Sequence, residues 1–164
     1  MTTPQWIKKL SGHSGELYVA AELSKRGIAN SLLPENFSED DILFGQKTIN
    51  KIGFIQVKSC HPDRADNIRL DKKHELWINS KENEFVVFVW LGSPKKNESP
   101  LYWIASKKEV GKLCIAHHAH NSLTNNERRF ALPIQGRKIK TGWNYLPNEW
   151  LNRWEIIEKF LKIK

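Results

Sequence analysis

The feature that most constrains this chain is the run Phe85-Val86-Val87-Phe88-Val89-Trp90-Leu91. Seven consecutive apolar residues are too few for a free-standing helix, and they are rich in β-branched and aromatic side chains. Such a run reads as a central strand buried on both faces. A strand covered on two sides needs layers of structure above and below it, so the fold must be built around that sheet.

The neighbouring segments supply those layers. A helix is expected from about Ser14 to Arg26, with Ser14 as N-cap and Gly27 as the stop. Leu17, Ala20, Ala21 and Ser24 share one stripe of it, with Val19 and Leu23 beside them. Residues 28–33 suit a short strand. Ile42-Leu43-Phe44 and residues 52–60 read as two more strands, close enough in sequence to pair as a hairpin. A weakly patterned helical stretch covers 71–79, and Leu101 to Ala105 returns as a strand. Ser106-Lys107-Lys108-Glu109 is a capping box that opens a helix reaching about His117. Residues 119–142 are rich in loop formers, with one strand near 130–134. Pro147 suits a helix start. Trp150, Trp154, Ile157 and Leu161 then recur at helical spacing, which predicts an amphipathic C-terminal helix. The order describes one α/β domain over 1–164: a mixed central sheet flanked by helices, with an extra C-terminal helix. The core spans about 12–118, and a basic loop region with the last helix spans about 119–164.

Charge narrows the partner. Lys plus Arg number 26 and Asp plus Glu number 18, a formal net charge of +8. Residues 1–94 balance at 12 basic and 12 acidic side chains, whereas residues 95–164 hold 14 basic and 6 acidic. Arg128, Arg129, Arg137, Lys138 and Lys140 fall in a stretch with no acidic residue. So lopsided a field favours a polyanion, and these five side chains are expected on DNA phosphates. His13, read as lying just before the first helix, is a further phosphate candidate because helix N-termini attract anions. Trp143 is the tryptophan to test for base stacking. The two cysteines, Cys60 and Cys114, form no disulfide framework, which suits the cytoplasm. No apolar stretch approaches the ~18 residues of a membrane span, so no membrane association is expected. Cys114, His117, His118 and His120 cluster, yet no second ligand pair stands at zinc-site spacing.

Four residues suggest chemistry. Gln56 and Lys58 lie two apart on a strand, so their side chains leave one face. Asp41 heads the strand expected to pair beside them. A carboxylate, an amide oxygen and a backbone carbonyl make a rational Mg²⁺ site, since Mg²⁺ wants hard oxygen ligands and retains waters. Lys58 can assist water or stabilise phosphate charge. Glu16, on the first helix, shares a side with Ala20 and Leu23. It either faces this group or sits exposed at the helix N-terminus, where the dipole favours it.

At these residues the chain resembles a known family. Gly15-Glu16 with Val19-Ala20 and Leu23 on a first helix, Asp41-Ile42 on a strand, then Gln56-Val57-Lys58, is similar to the PD-(D/E)XK nuclease superfamily. The Gln-x-Lys variant resembles its Mrr-type restriction and archaeal-resolvase-like branches. The resemblance covers about residues 12–118. It implies a restriction-endonuclease-like αβββαβ core and Mg²⁺-dependent DNA endonuclease activity, with Mn²⁺ able to substitute. It implies Asp41 as central metal ligand and Gln56 where an acidic ligand usually stands, with the Val57 carbonyl beside them. Lys58 would be the catalytic lysine, and Glu16 would act at the site directly or through water. Two departures stand out. Asp40 precedes Asp41 where the family has proline; Asp41 is preferred because the strand follows it directly. Gln56 is neutral, which leaves open a binding-only module on the same fold. A protein-interaction subunit with a basic patch is a third reading. Cutting both strands of a duplex would call for a homodimer, with Trp150 and Trp154 as core or dimer contacts.

Overall fold

The computed structural model describes residues 4–61, 63, 66–117 and 127–163. The chain opens with α1 (Gln5–Lys25), whose buried residues Gly15, Val19 and Leu23 recur every four positions. Gly27 follows at φ +74°, the left-handed conformation that ends helices. Then come β1 (Ala29–Leu32), β2 (Ile42–Gln46), β3 (Lys51–Cys60) and β4 (Asn67–Asp71). A 3-10 stretch covers Lys72–Asn79 and leads to β5 (Glu84–Trp90) and β6 (Leu101–Ser106). The chain closes with α2 (Lys107–Ala116), β7 (Glu127–Ala131) and α3 (Glu155–Phe160).

Five strands form one mixed sheet in the order β1-β2-β3-β5-β6. Only β3 and β5 run parallel, pairing Gln56 with Val86 and Lys58 with Phe88. The apolar run behaves as its composition requires. Val86, Phe88 and Trp90 enter one core cluster, while Phe85, Val87 and Val89 enter the other. α1 and α3 cover the second face through Val19, Leu23 and Ile157. α2, the 3-10 stretch and a two-stranded sheet of β4 and β7 cover the first, through Val110, Trp77, Leu70 and Phe130. This is the expected α/β architecture of a mixed sheet flanked by helices. Among the described residues no helix is long and apolar enough to cross a membrane.

Two local expectations are corrected. α1 starts at Gln5 behind Pro4, not at Ser14. Ser11, Gly12 and Ser14 read as breakers, but a helix already nucleated upstream propagates through them at modest cost. At the C-terminus Trp150 belongs to a short 3-10 turn, and α3 holds only Glu155–Phe160. The chain breaks between them because Leu151 bridges to Trp103 and the Asn152 N–H donates to the Tyr102 carbonyl. These contacts occupy the edge of β6, and Asn152 takes φ +52° to make them. β4 is a strand to which the sequence pattern assigned no element, although its inward Ile68 and Leu70 alternate with exposed Arg69 and Asp71.

Candidate active site

The site grows out of a mismatch in strand length. The ladder between β2 and β3 ends at the pair Ile42 and Ile55, while β3 runs on to Cys60. Asp41 stands at that step. Its N–H donates to the Ile55 carbonyl at 2.9 Å, and its carboxylate accepts the Val57 N–H at 2.7 Å. The carboxylate thus caps the strand edge that β2 has left. A strand residue sends its N–H and C=O to the same edge, so the Val57 carbonyl lies on Asp41's side. Gln56 and Lys58 leave β3 on the face opposite Ile55 and Val57. Gln56 is 8% exposed, and its buried Oε1 has no hydrogen-bond partner among the described residues.

The acidic run before β2 is sorted by its partners. Glu39 Oε2 accepts the Trp77 indole N–H at 3.4 Å. Asp40 pairs with Lys107 at 2.7 Å. Asp41, not Asp40, therefore reaches the Gln56 and Lys58 strand. Sequence reasoning missed Lys107 and Trp77. Lys107 did leave a signal, since a lysine at the first position of a helix sits against the helix dipole.

Glu16 joins from the other side of β3. α1 approaches so closely at Gly15 that a Cβ there would lie 2.7 Å from the Ser59 Cβ. Burial, then the charge of Asp41, raise the Glu16 carboxyl above the usual carboxylate range, with His13 opposing and Glu35 adding. Burial also raises Asp41, against the Val57 hydrogen bond and the Lys58 charge. Burial lowers the Lys58 ammonium, against the charge of Asp41. The centre therefore holds two carboxylates that resist ionisation and one lysine that resists protonation. Added to these is the buried Gln56 amide oxygen, with no donor among the described residues. A hard divalent cation fits that donor set, because it supplies the positive charge and takes up the oxygen lone pairs.

The remaining candidates separate. Arg128, expected on phosphate, is corrected: it is 1% exposed, pairs with Glu75 at 2.9 Å and donates from Nε to the Cys114 carbonyl. Alternation on β7 turns Arg128 inward and Arg129 outward, and the Glu75 carboxylate supplies the charge that burial requires. His13 is exposed but lies within α1, so it has no helix N-terminus to offer. Arg137 and Lys138 are exposed, and Arg137 stacks over the Trp90 ring at 5.2 Å. Arg129 pairs with Glu127, and Lys140 with Asp66 at 2.7 Å. Lys140 also covers the Trp143 ring at 4.8 Å, on a face that base stacking would need. Trp150 and Trp154 are buried in the two core clusters, which makes them core residues. Cys114 is buried in the core, where burial pushes its thiol up to about 12. His117 is exposed and meets Phe130 edge-on; His118 and His120 lie outside the described residues.

No family model matches the chain, and no curated protein matches it in sequence. Among solved structures, that of a bacterial homing endonuclease, I-Ssp6803I, is similar with a TM-score of 0.53. The alignment spans 92% of this chain and 93% of that chain at 14% identity. At that identity the likeness is one of fold: this chain has a nuclease-like α/β fold.

Proposed function

We propose that this chain is a divalent-metal-dependent DNA endonuclease of the PD-(D/E)XK type, starting from its nuclease-like fold. The observation that carries the proposal is the buried Gln56 Oε1, without a hydrogen-bond partner among the described residues, on the β3 face that also carries Lys58, with the Asp41 carboxylate held at the adjoining strand edge by the Val57 N–H. Buried side-chain oxygens usually find a donor, and a cation on this face would take up this one.

The Asp41 carboxylate, Gln56 Oε1 and the Val57 carbonyl would hold Mg²⁺, and Mn²⁺ offers the same preference for oxygen. When bound, such an ion polarises a phosphodiester and makes water more acidic. The protein's own groups do the rest. The Val57 N–H aims the Asp41 carboxylate. Lys58 Nζ, its ammonium destabilised by burial, either takes a proton from the attacking water or donates to a phosphate oxygen. The Glu16 carboxylate orients water from the α1 side. Hydrolysis adds the water oxygen to phosphorus as a P–O ester bond breaks, and the leaving oxygen ends protonated.

DNA would lie against the exposed Arg137, Lys138 and Lys140 and the half-buried Arg129, with His13 on the α1 side. Strands of a duplex are related by a two-fold, so double-strand cleavage by a one-site chain calls for a homodimer.

The test is supercoiled plasmid incubated with Mg²⁺ or Mn²⁺, beside Asp41→Ala, Lys58→Ala and an EDTA control. Nicking that needs metal and disappears in both variants supports the proposal. DNA binding with steep salt dependence and no cleavage in either metal moves the chain to the binding-only reading. Cleavage that survives both substitutions refutes the assigned site.

A further inference from the structure

We infer that Lys107 is a positioning residue for the metal-binding end of this site, acting through Asp40 on Asp41. The inference rests on the endonuclease reading and names a part of the machinery outside the four central residues.

Lys107 is the first residue of α2, and the Ser106 and Glu109 capping box holds it there. Both its place and its burial are unfavourable in isolation. A cation at a helix N-terminus opposes the helix dipole, and lysine is almost never fully buried unless paired. Yet Lys107 is 3% exposed. Three groups face its ammonium: Asp40 Oδ1 at 2.7 Å, Glu84 Oε1 at 3.5 Å and the Trp77 ring at 5.3 Å. Glu84 begins β5 beside Phe54 of β3, so it ties Lys107 to the middle of the sheet. Trp77 in turn donates to Glu39.

The segment so gripped matters because of what adjoins it. Residues 34–39 form an exposed loop between β1 and β2, with Asn36 at φ +64°. Asp41 comes two residues after that loop, and its carboxylate accepts a hydrogen bond from the Val57 N–H. The Asp41 backbone is itself held by the Ile55 carbonyl and the Leu33 N–H, and an anchor on Asp40 and Glu39 keeps the freedom of the loop from reaching the carboxylate through the chain. Lys107 and Trp77 fasten Asp40 and Glu39 to the rigid layer of α2 and the 3-10 stretch, so Asp41 leaves a fixed point. A ligand whose support is rigid loses less entropy on binding the cation, which is the usual effect of groups behind a metal ligand.

The test measures metal affinity without DNA or turnover. Mn²⁺ is titrated into the protein, and free Mn²⁺ is read by electron paramagnetic resonance. The proteins are wild type, Asp41→Ala, Lys107→Met, Asp40→Ala and Ile157→Ala, the last a core truncation in α3 against the opposite core cluster. Asp41→Ala should abolish binding. Lys107→Met and Asp40→Ala should each weaken it about 10-fold or more. Ile157→Ala should lower Tm and leave Mn²⁺ affinity unchanged. If Lys107→Met does not fold, Asp40→Asn, which keeps the shape and removes the charge, should still weaken binding several-fold. Wild-type affinity in both Lys107→Met and Asp40→Ala, with Asp41→Ala inactive for Mn²⁺, overturns the inference and leaves the endonuclease reading intact. A loss in Ile157→Ala equal to that in Lys107→Met also overturns it, since general loosening would then account for the effect. No Mn²⁺ binding by wild type, or undiminished binding by Asp41→Ala, overturns the metal site and the inference together.

Discussion

Alanine at Gly12 and alanine at Gly15 should move stability in opposite directions, although the two positions lie three residues apart on α1. In a helix interior, Gly→Ala is worth about 1 kcal/mol from propensity alone. A Cβ at Gly12 meets nothing within 4 Å. Gly12→Ala should therefore stabilise by about 1 kcal/mol and raise Tm by roughly 2–4 °C. A Cβ at Gly15 would stand 2.7 Å from both the Cβ and the Oγ of Ser59. The Ser59 Cβ is fixed to β3, and its hydroxyl donates to the Ser11 carbonyl at 2.9 Å. Swinging the hydroxyl aside forfeits about 1 kcal/mol, and overpacking costs about 1–3 kcal/mol. With the propensity gain of about 1 kcal/mol subtracted, Gly15→Ala should destabilise by about 1–3 kcal/mol.

The assay is urea and thermal unfolding followed by far-ultraviolet circular dichroism, with each alanine also placed in a Ser59→Gly background. Removing the Ser59 Cβ should turn Gly15→Ala from destabilising to neutral or stabilising, and should leave the Gly12→Ala effect unchanged. α1 carries Glu16, so the same clash should reduce plasmid nicking in Gly15→Ala more than in Gly12→Ala. Equal effects of the two alanines, or no relief in the Ser59→Gly background, would refute the close helix-on-strand approach on which the Glu16 placement depends.

Arg128→Met should lower stability by about 3 kcal/mol, because it strands Glu75 and the Cys114 carbonyl. Arg129→Ala and Lys138→Ala should leave Tm nearly unchanged, and each should reduce the salt slope of DNA binding by about 1; the reverse pattern would restore Arg128 to the phosphate surface. At Glu109, burial pushes the carboxyl up, but hydrogen bonds from Arg153 and Ser106 and the Arg153 charge outweigh it and hold it below its ordinary 4.5. That stabilisation is present above pH 4.5 and is lost as pH falls through the folded-state value. Glu109→Gln should thus flatten the acid limb of a Tm-against-pH curve, by no more than about 1 kcal/mol because the side chain is 38% exposed. Burial pushes both the Cys60 and Cys114 thiols up to about 12. Neither should react with an aromatic disulfide reagent at pH 8 until urea unfolds the chain.

Much of the fold could be read along the chain. The seven-residue apolar run forced a doubly covered strand. Alternation placed Gln56 and Lys58 on one face, and the short span from Ile42 to Cys60 made the β2–β3 hairpin economical. Ser106 and Glu109 announced α2. Each of these signals is set by strand or helix periodicity, or by a hydrogen bond between residues a few positions apart. Neighbour geometry alone carries them.

What escaped the chain-local reading involves partners distant in sequence. Asp40 and Asp41 are alike on paper, and they part company because Lys107, 67 positions away, takes the first. Arg128 and Arg129 are equally basic, but Glu75, 53 positions away, draws Arg128 into the interior. The periodicity around Trp150 promised a longer helix until the β6 edge claimed Leu151 and Asn152. A buried charge is tolerable only where an opposite charge or a set of hydrogen bonds meets it in the same low-dielectric space. Which groups share that space follows from strand order and helix packing. Residue pattern thus decided the layers and the face of the site, and three-dimensional pairing decided which charges remain available there.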